Sequence, residues 1–310
     1  MNLPTTLDGA VALNDLGLIR AEGADAASFL HGQLTQDMLH LGASEVRLAG
    51  FCSAKGRLQA SFLAWRDGDT IVLACSASVM AATLKRLSMF VLRAKCRLVD
   101  AGATLQAVGL VGPSASVRLA GAPVGSRHDT DDGTLIRFPD AEGLVRALLV
   151  RPRDAGPLDA PVLDGAAWQA LSVRSGVPVI EAATVDQFVP QMLNYELIGG
   201  VDFRKGCYPG QEVVARSQYR GTIKRRMFLF DVDAEAAAGH EVYHDADPGQ
   251  PAGRVVNAAR VPGTSTFTAL VEVKLAALDG GHLHLGSVQG PSLRRAPLPY
   301  EVPFEANAAA

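Results

Sequence analysis

Between residues 45 and 75 the chain has little topological choice. Residues 45–52, 57–65 and 70–75 are three strand-like runs, separated only by Ser53-Ala54-Lys55-Gly56 and by Asp67-Gly68-Asp69. Turns this short fold a strand back beside its predecessor, whereas a parallel neighbour needs a crossover of about a dozen residues. An antiparallel meander is therefore expected. Ser76 then stands where an N-cap belongs. Val79, Met80, Leu84, Leu87 and Val91 recur at helical spacing to about residue 90, before another strand over residues 92–99. Strands grouped with a helix in this order predict an α+β fold rather than a doubly wound parallel sheet. The absence of a GxGxxG turn and of a P-loop argues against a nucleotide enzyme of either kind.

The flanking regions extend the same pattern. Residues 11–20 read as one strand. Asp25 caps a helix whose core face is Phe29, Leu30, Leu34, Met38 and Leu41, with Gln33, Thr35, Gln36 and Asp37 on the polar side. Asp37 reads as a solvated acid or a ligand contact. Residues 104–111, 134–138 and 144–150 are strands, 113–119 a short helix opening on Pro113, and 119–132 a loop rich in Gly, Asp and Pro. Asp164 caps a helix over residues 165–175 that places Trp168, Leu171 and Ser175 on one face and closes at Gly176. After Arg226 only short strands between turns follow, the pattern of a small barrel or sandwich. The expected division is a body over 1–225 and a C-terminal β-barrel over 226–310, ending in a disordered alanine-rich tail.

Composition narrows the function. No apolar run approaches the roughly 18 residues of a membrane span, and the first eight residues lack a basic region followed by an apolar core. The cysteines, Cys52, Cys75, Cys96 and Cys207, form no CxxC and have no histidine at zinc-site spacing. A cytoplasmic protein without a structural metal is expected, with Cys75 and Cys96 in the core. Net charge is −3, yet residues 204–226 hold seven cations against Glu212 alone, so the remainder carries −9. A basic segment in an acidic chain suits an anionic ligand such as a phosphate, a carboxylate-bearing cofactor or RNA.

That segment opens with Arg204-Lys205-Gly206-Cys207-Tyr208-Pro209-Gly210-Gln211-Glu212, which combines a thiol, two cations and two glycines. Gly206 and Gly210 suit a tight loop, and Pro209 suits the first turn of a helix running through Arg216. Cys207 would then lie just before a helix N-terminus. Lys205 and the helix dipole would both favour its thiolate.

These residues resemble the K-G-C-Y-x-G-Q-E signature of the YgfZ-type folate-binding proteins, relatives of the glycine-cleavage T-protein, an aminomethyltransferase. The segments Phe188-Val189-Pro190-Gln191-Met192-Leu193-Asn194, Lys224-Arg225-Arg226, Phe29-Leu30-His31-Gly32-Gln33-Leu34-Thr35-Gln36-Asp37 and Lys55-Gly56-Arg57 extend the resemblance over nearly the whole chain. It implies a T-protein-like multidomain α+β fold with a ferredoxin-like part and a C-terminal β-barrel. It also implies a site for tetrahydrofolate or a one-carbon derivative, and a role in assembly or repair of iron–sulfur clusters in client enzymes. tRNA modification would be supported only indirectly, through those clients. Carried over by position, Cys207 is the functional thiol and Lys205 its companion. Trp168, Gln191, Asn194, Tyr208, Gln211, Glu212 and Arg216 are the expected cofactor contacts. This chain departs from the pattern where a second folate-contacting Trp is replaced by Leu16, where Pro209 stands for a frequent Thr, and where the Glu of the T-protein's Arg-x-Glu-Ala-Gly is Arg174.

Two further readings compete with an accessory factor for iron–sulfur proteins. A folate-dependent one-carbon transferase would turn over one-carbon folates, but Arg174 weakens that case. An RNA-binding module would rest on the basic segment, where only Tyr208 and Tyr219 offer rings for base stacking. A single accessible cysteine cannot hold a cluster that takes four thiolates, so any ligation of iron needs a partner.

Overall fold

The computed structural model describes residues 6–221 and 223–303, and the expected disordered tail lies outside them. The N-terminal elements are β1 (Gly9–Ala12), β2 (Leu16–Glu22), α1 (Ala26–His31), β3 (Val46–Cys52), β4 (Leu58–Asp67), β5 (Thr70–Ser76), α2 (Ala77–Ser88) and β6 (Arg97–Asp100). The meander forms as expected, with β3, β4 and β5 adjacent and antiparallel, and β2 and β6 completing the order β3-β4-β5-β2-β6. Ser76 Oγ accepts from the Ser78 amide at 3.3 Å and caps α2.

The next elements are β7 (Leu105–Val111), α3 (Pro113–Leu119), β8 (Arg127–Thr130), β9 (Gly133–Ala141), β10 (Leu144–Pro152) and α4 (Gly165–Arg174). Their sheet has the order β1-β7-β10-β9-β8. Asp164 Oδ1 caps α4 by accepting from the Ala166 amide at 3.0 Å, and Gly176 ends it at φ +70°. After α5 (Gln211–Tyr219) come β11 (Arg225–Val232), β12 (Glu241–His244), β13 (Gly253–Arg260), β14 (Phe267–Lys274), β15 (Leu283–Leu285) and β16 (Arg294–Ala296). They form one antiparallel sheet, β15-β12-β13-β14-β11-β16, so the expected barrel is a curled, open half-barrel.

Five expectations about elements change, the first being the strand over 92–99, of which only Arg97–Asp100 forms as β6. Residues 11–20 are two strands in two sheets, because the chain turns at Asn14 and Asp15; β1 pairs with β7 and β2 with β5. The helix after Asp25 ends at His31. Leu34, Met38 and Leu41 are buried as the helical spacing suggested, but irregular backbone carries them there. Asp25 does not cap that helix through its side chain, which instead accepts from the Lys95 amide at 2.7 Å. The loop over 119–132 contains β8, which pairs with β9 through a turn ending at Gly133.

A single apolar core joins the three sheets. Trp65 (β4), Leu148 (β10), Trp168 and Leu171 (α4), Met227 (β11) and Leu270 (β14) all belong to it. Ion pairs reinforce the junction. Buried Arg174 of α4 donates to Glu142 at 2.9 Å and to Asp231 of β11 at 2.8 Å. Arg226 pairs with Glu196, where burial pushes the carboxyl up and the guanidinium pulls it back.

Candidate functional site around Cys207

The three motifs that the sequence presents separately meet in one place. Thr35 accepts the Asp202 amide on its carbonyl at 2.9 Å and donates its hydroxyl to Gly200 O at 2.6 Å. Gln36 Nε2 donates to Gly199 O at 2.7 Å. Lys205 reaches the same segment, and its Nζ donates to His31 O at 2.5 Å and Leu34 O at 2.9 Å. The Lys205-Gly206-Cys207 loop is thus stitched to residues 31–36, about 170 positions earlier. Lys55-Gly56-Arg57 supports the other end. Gly210 (φ +79°) lies so close to the turn after β3 that a Cβ there would sit 2.3 Å from Ser53 O and 2.6 Å from Gly56 Cα. Only glycine tolerates both that conformation and that approach. Gly206 has ordinary backbone, so the conformational need falls on Gly210 alone.

Within this frame Cys207 is exposed, whereas Cys52 and Cys75 are buried and desolvation pushes both thiols up to about 12. Cys96, expected in the core with Cys75, is only half-buried, because it lies in irregular backbone just before β6. Lys205 is buried beneath the loop, its Nζ 4.7 Å from the Tyr208 ring centroid. Burial pulls its ammonium down to about 8, and the charges of Asp37, Asp202 and Cys207 oppose that fall. The helix α5 starts at Gln211 with Gly210 as its N-cap, so Pro209 is outside it and Cys207 lies a full loop away from the first helical amide.

Asp37 is neither a free solvated acid nor a contact aimed at open space. Its Oδ1 lies 2.9 Å from His31 Nδ1 and its Oδ2 2.6 Å from His40 Nδ1. Burial would raise its carboxyl, but the hydrogen bonds from His40, His31 and Leu39 N outweigh that and hold it well below the usual carboxylate range. No periodic signal marks this pair, because irregular backbone rather than a helix brings His31 and Asp37 together.

The expected cofactor contacts divide between buried and exposed settings. Trp168 is 5% exposed; Gly109 supports one part of the indole, the Arg146 guanidinium lies 4.6 Å from the ring and Phe138 packs at 5.9 Å. Gln191 and Asn194 are buried, and their amide groups donate to Val214 O and Met227 O, each at 2.7 Å. They fix α5 and β11 in place. Glu212 and Arg216 form an exposed pair at 3.0 Å on α5, with half-buried Gln211 at its start. Tyr208 is buried against Lys205. Tetrahydrofolate does not fit these residues as they stand. The indole is 5% exposed and the Gln191 and Asn194 amide nitrogens are already used, so that buried Gln191 Oε1 alone of these amide groups lacks a partner. A cleft of about 190 Å³ lies elsewhere, lined by Trp65, Val72, Asp129, Thr134 and Arg151.

The basic segment also divides. Arg204, Arg216, Arg220 and Lys224 face solvent, while Lys205, Arg225 and Arg226 turn inward to carbonyls or to Glu272 and Glu196. Among the described residues, no three His, Cys, Asp or Glu side chains converge as a metal site, and no helix is long and apolar enough to cross a membrane.

None of the protein-family models matches this chain. Among solved structures, the glycine cleavage system aminomethyltransferase T from Bartonella henselae superposes with a TM-score of 0.73 over 94% of this chain and 86% of its own, at 16% identity. That likeness establishes the fold. In sequence, the chain is 37% identical to the tRNA-modifying protein YgfZ of Edwardsiella ictaluri over 76% of this chain and 73% of that protein. It is 32% identical to the YgfZ of Sodalis glossinidius over 97% and 94%, and 31% identical to that of Escherichia coli K12 over 73% and 72%. With identity at this level along nearly the whole length, a T-protein-like fold and the cysteine loop in place, the chain belongs to the YgfZ family of tRNA-modifying proteins.

Proposed function

We propose that this protein is a cytoplasmic accessory factor that acts through the Cys207 thiol on iron–sulfur client enzymes, and through them supports tRNA modification. The observation that carries this reading is the contrast among the cysteines: two thiols are sealed in the core, while Cys207 stands in solvent on a loop anchored by a buried lysine. A loop fixed at both ends and open at its thiol suits transient contact with a partner's iron or disulfide. The iron–sulfur cluster is the client's, since one accessible thiol does not complete a cluster's ligand set.

Tetrahydrofolate or a one-carbon derivative is the cofactor that kinship with the T-protein fold suggests. Aminomethyl transfer is disfavoured, because Arg174, at the position of the T-protein's glutamate, is committed to Glu142 and Asp231. The deciding experiment is complementation of a strain lacking this protein. Cys207→Ala is expected to abolish rescue while leaving the thermal midpoint unchanged, since truncating an exposed side chain alters stability by about 0.5 kcal/mol or less. Full rescue by the alanine variant would refute the proposal.

A further inference from the structure

Asp37 fixes the tautomers of two histidines. An ionised carboxylate only accepts hydrogen bonds, so the Nδ1 atoms of His31 and His40, at 2.9 and 2.6 Å, must both carry protons. In a neutral imidazole this leaves the lone pair on Nε2. For His40, which is 81% exposed, that lone pair faces water. His31 is only 16% exposed, and its Nε2 lies 3.5 Å from the point where a Cβ on Gly206 would sit. The basic nitrogen of His31 therefore opens onto the backbone immediately before Cys207. The His31 carbonyl accepts from Lys205 Nζ, so this one residue meets the loop through both its main chain and its ring.

The charges facing this corner are few. Asp37 and His40 lie on the segment after α1, Lys205 and Asp202 on the cysteine loop, and Arg47 of β3 donates to Asp37 O at 2.6 Å and His40 O at 2.8 Å. Lys205 uses its ammonium to tie down two carbonyl oxygens. It supplies positive potential, whereas His31 supplies a lone pair.

We propose that His31, held in its Nδ1–H tautomer by Asp37, is the general base that takes the thiol proton of Cys207. The S–H bond breaks and an Nε2–H bond forms. A neutral pair becomes a thiolate and an imidazolium, and Asp37 stabilises the imidazolium through Nδ1. No redox change is involved. The assignment rests on Cys207 being the functional thiol.

The test is the rate at which iodoacetamide alkylates Cys207 in the native full-length protein, read by mass spectrometry on the peptide containing that residue. Alkylation forms the S–C bond and releases iodide, and only the thiolate reacts appreciably. His31→Gln and Asp37→Asn are each expected to slow the reaction at pH 7 by about tenfold or more; Asp37→Asn also lowers the thermal midpoint, because the carboxylate it removes accepts from His31, His40 and Leu39 N. A rate within about twofold of wild type in folded His31→Gln protein would overturn the assignment. If the variants do not fold, nitrogen NMR of labelled histidine in the wild type decides. A His31 Nε2 that loses its proton when Cys207→Ser is introduced supports the proton transfer, and an Nε2 resonance indifferent to that change refutes it. Alkylation does not involve clients, so failure of the histidine assignment is separable from failure of Cys207→Ala to abolish rescue.

Discussion

Cys207 and Trp168 are the residues that the sequence marks most strongly, and they occupy opposite physical settings. Cys207 is exposed on a loop held by backbone carbonyls, a buried ammonium and two glycines in contact. Trp168 is enclosed where the three sheets meet, with the Arg146 guanidinium over its ring and the side-chain-free backbone of Gly109 against its edge atoms. In the first region order is concentrated in the scaffold and the reactive atom is left free. In the second, order reaches the aromatic ring itself. A motif match alone does not separate these settings, because a conspicuous residue can serve chemistry or packing equally well. The thiol is ready to meet a partner without rearrangement, whereas a ligand at Trp168 would first have to open the core.

This contrast can be broken most decisively at Trp168. Trp168→Ala is expected to lower unfolding free energy by about 3–5 kcal/mol, measured by denaturant titration, because the cavity falls in a tightly packed junction. Calorimetric titration of the wild type with tetrahydrofolate sharpens the point. Binding that disappears in a Trp168→Ala protein still folded at the assay temperature would mean that the core does open, and the two regions would then share one function.

At the loop, Gly210→Ala is expected to cost about 2–4 kcal/mol and to slow any reaction of Cys207, since the added carbon meets main-chain atoms of Ser53 and Gly56 at a positive φ. A thermal midpoint equal to wild type would show that the loop is not braced against the turn after β3.

The smallest effect is electrostatic. The folded-state value of Lys205, about 8, lies below its ordinary value of 10.5. Between those limits the unfolded chain binds a proton that the folded chain has released, so stability rises with pH across that window, and the burial penalty is fully present below pH 8. Lys205→Met should remove this rise, as read from thermal midpoints of both proteins between pH 7 and 10. Parallel curves for the two proteins would place the lysine in a more hydrated setting than its two carbonyl partners imply.

Much of the fold was legible because it rests on local rules. The meander over β3, β4 and β5, the Ser76 cap of α2 and the Asp164 cap of α4 follow from alternation, turn length and capping chemistry. Where local rules met tertiary demands, tertiary demands prevailed. Leu34, Met38 and Leu41 keep helical spacing, yet the chain leaves the helix at His31 so that residues 31–36 can present carbonyls to Lys205 and Thr35 can bond Gly200. Short-range periodicity carries no record of such a partner.

The same division holds at the candidate site. By itself the sequence determined that one cysteine sits in a glycine-bounded basic loop with no partner cysteine, because composition and spacing are properties of a single segment. Only the tertiary structure decided that the loop lies on the Phe29–Asp37 segment, that Lys205 points inward, that Gln191 and Asn194 brace β11 and α5, and that His31, paired with Asp37, turns its Nε2 toward Gly206. The physical reason is that these relations join residues up to about 170 positions apart. Hydrogen-bond satisfaction of buried backbone and close packing of glycine main chain settle such relations, and neither leaves a periodic trace in sequence.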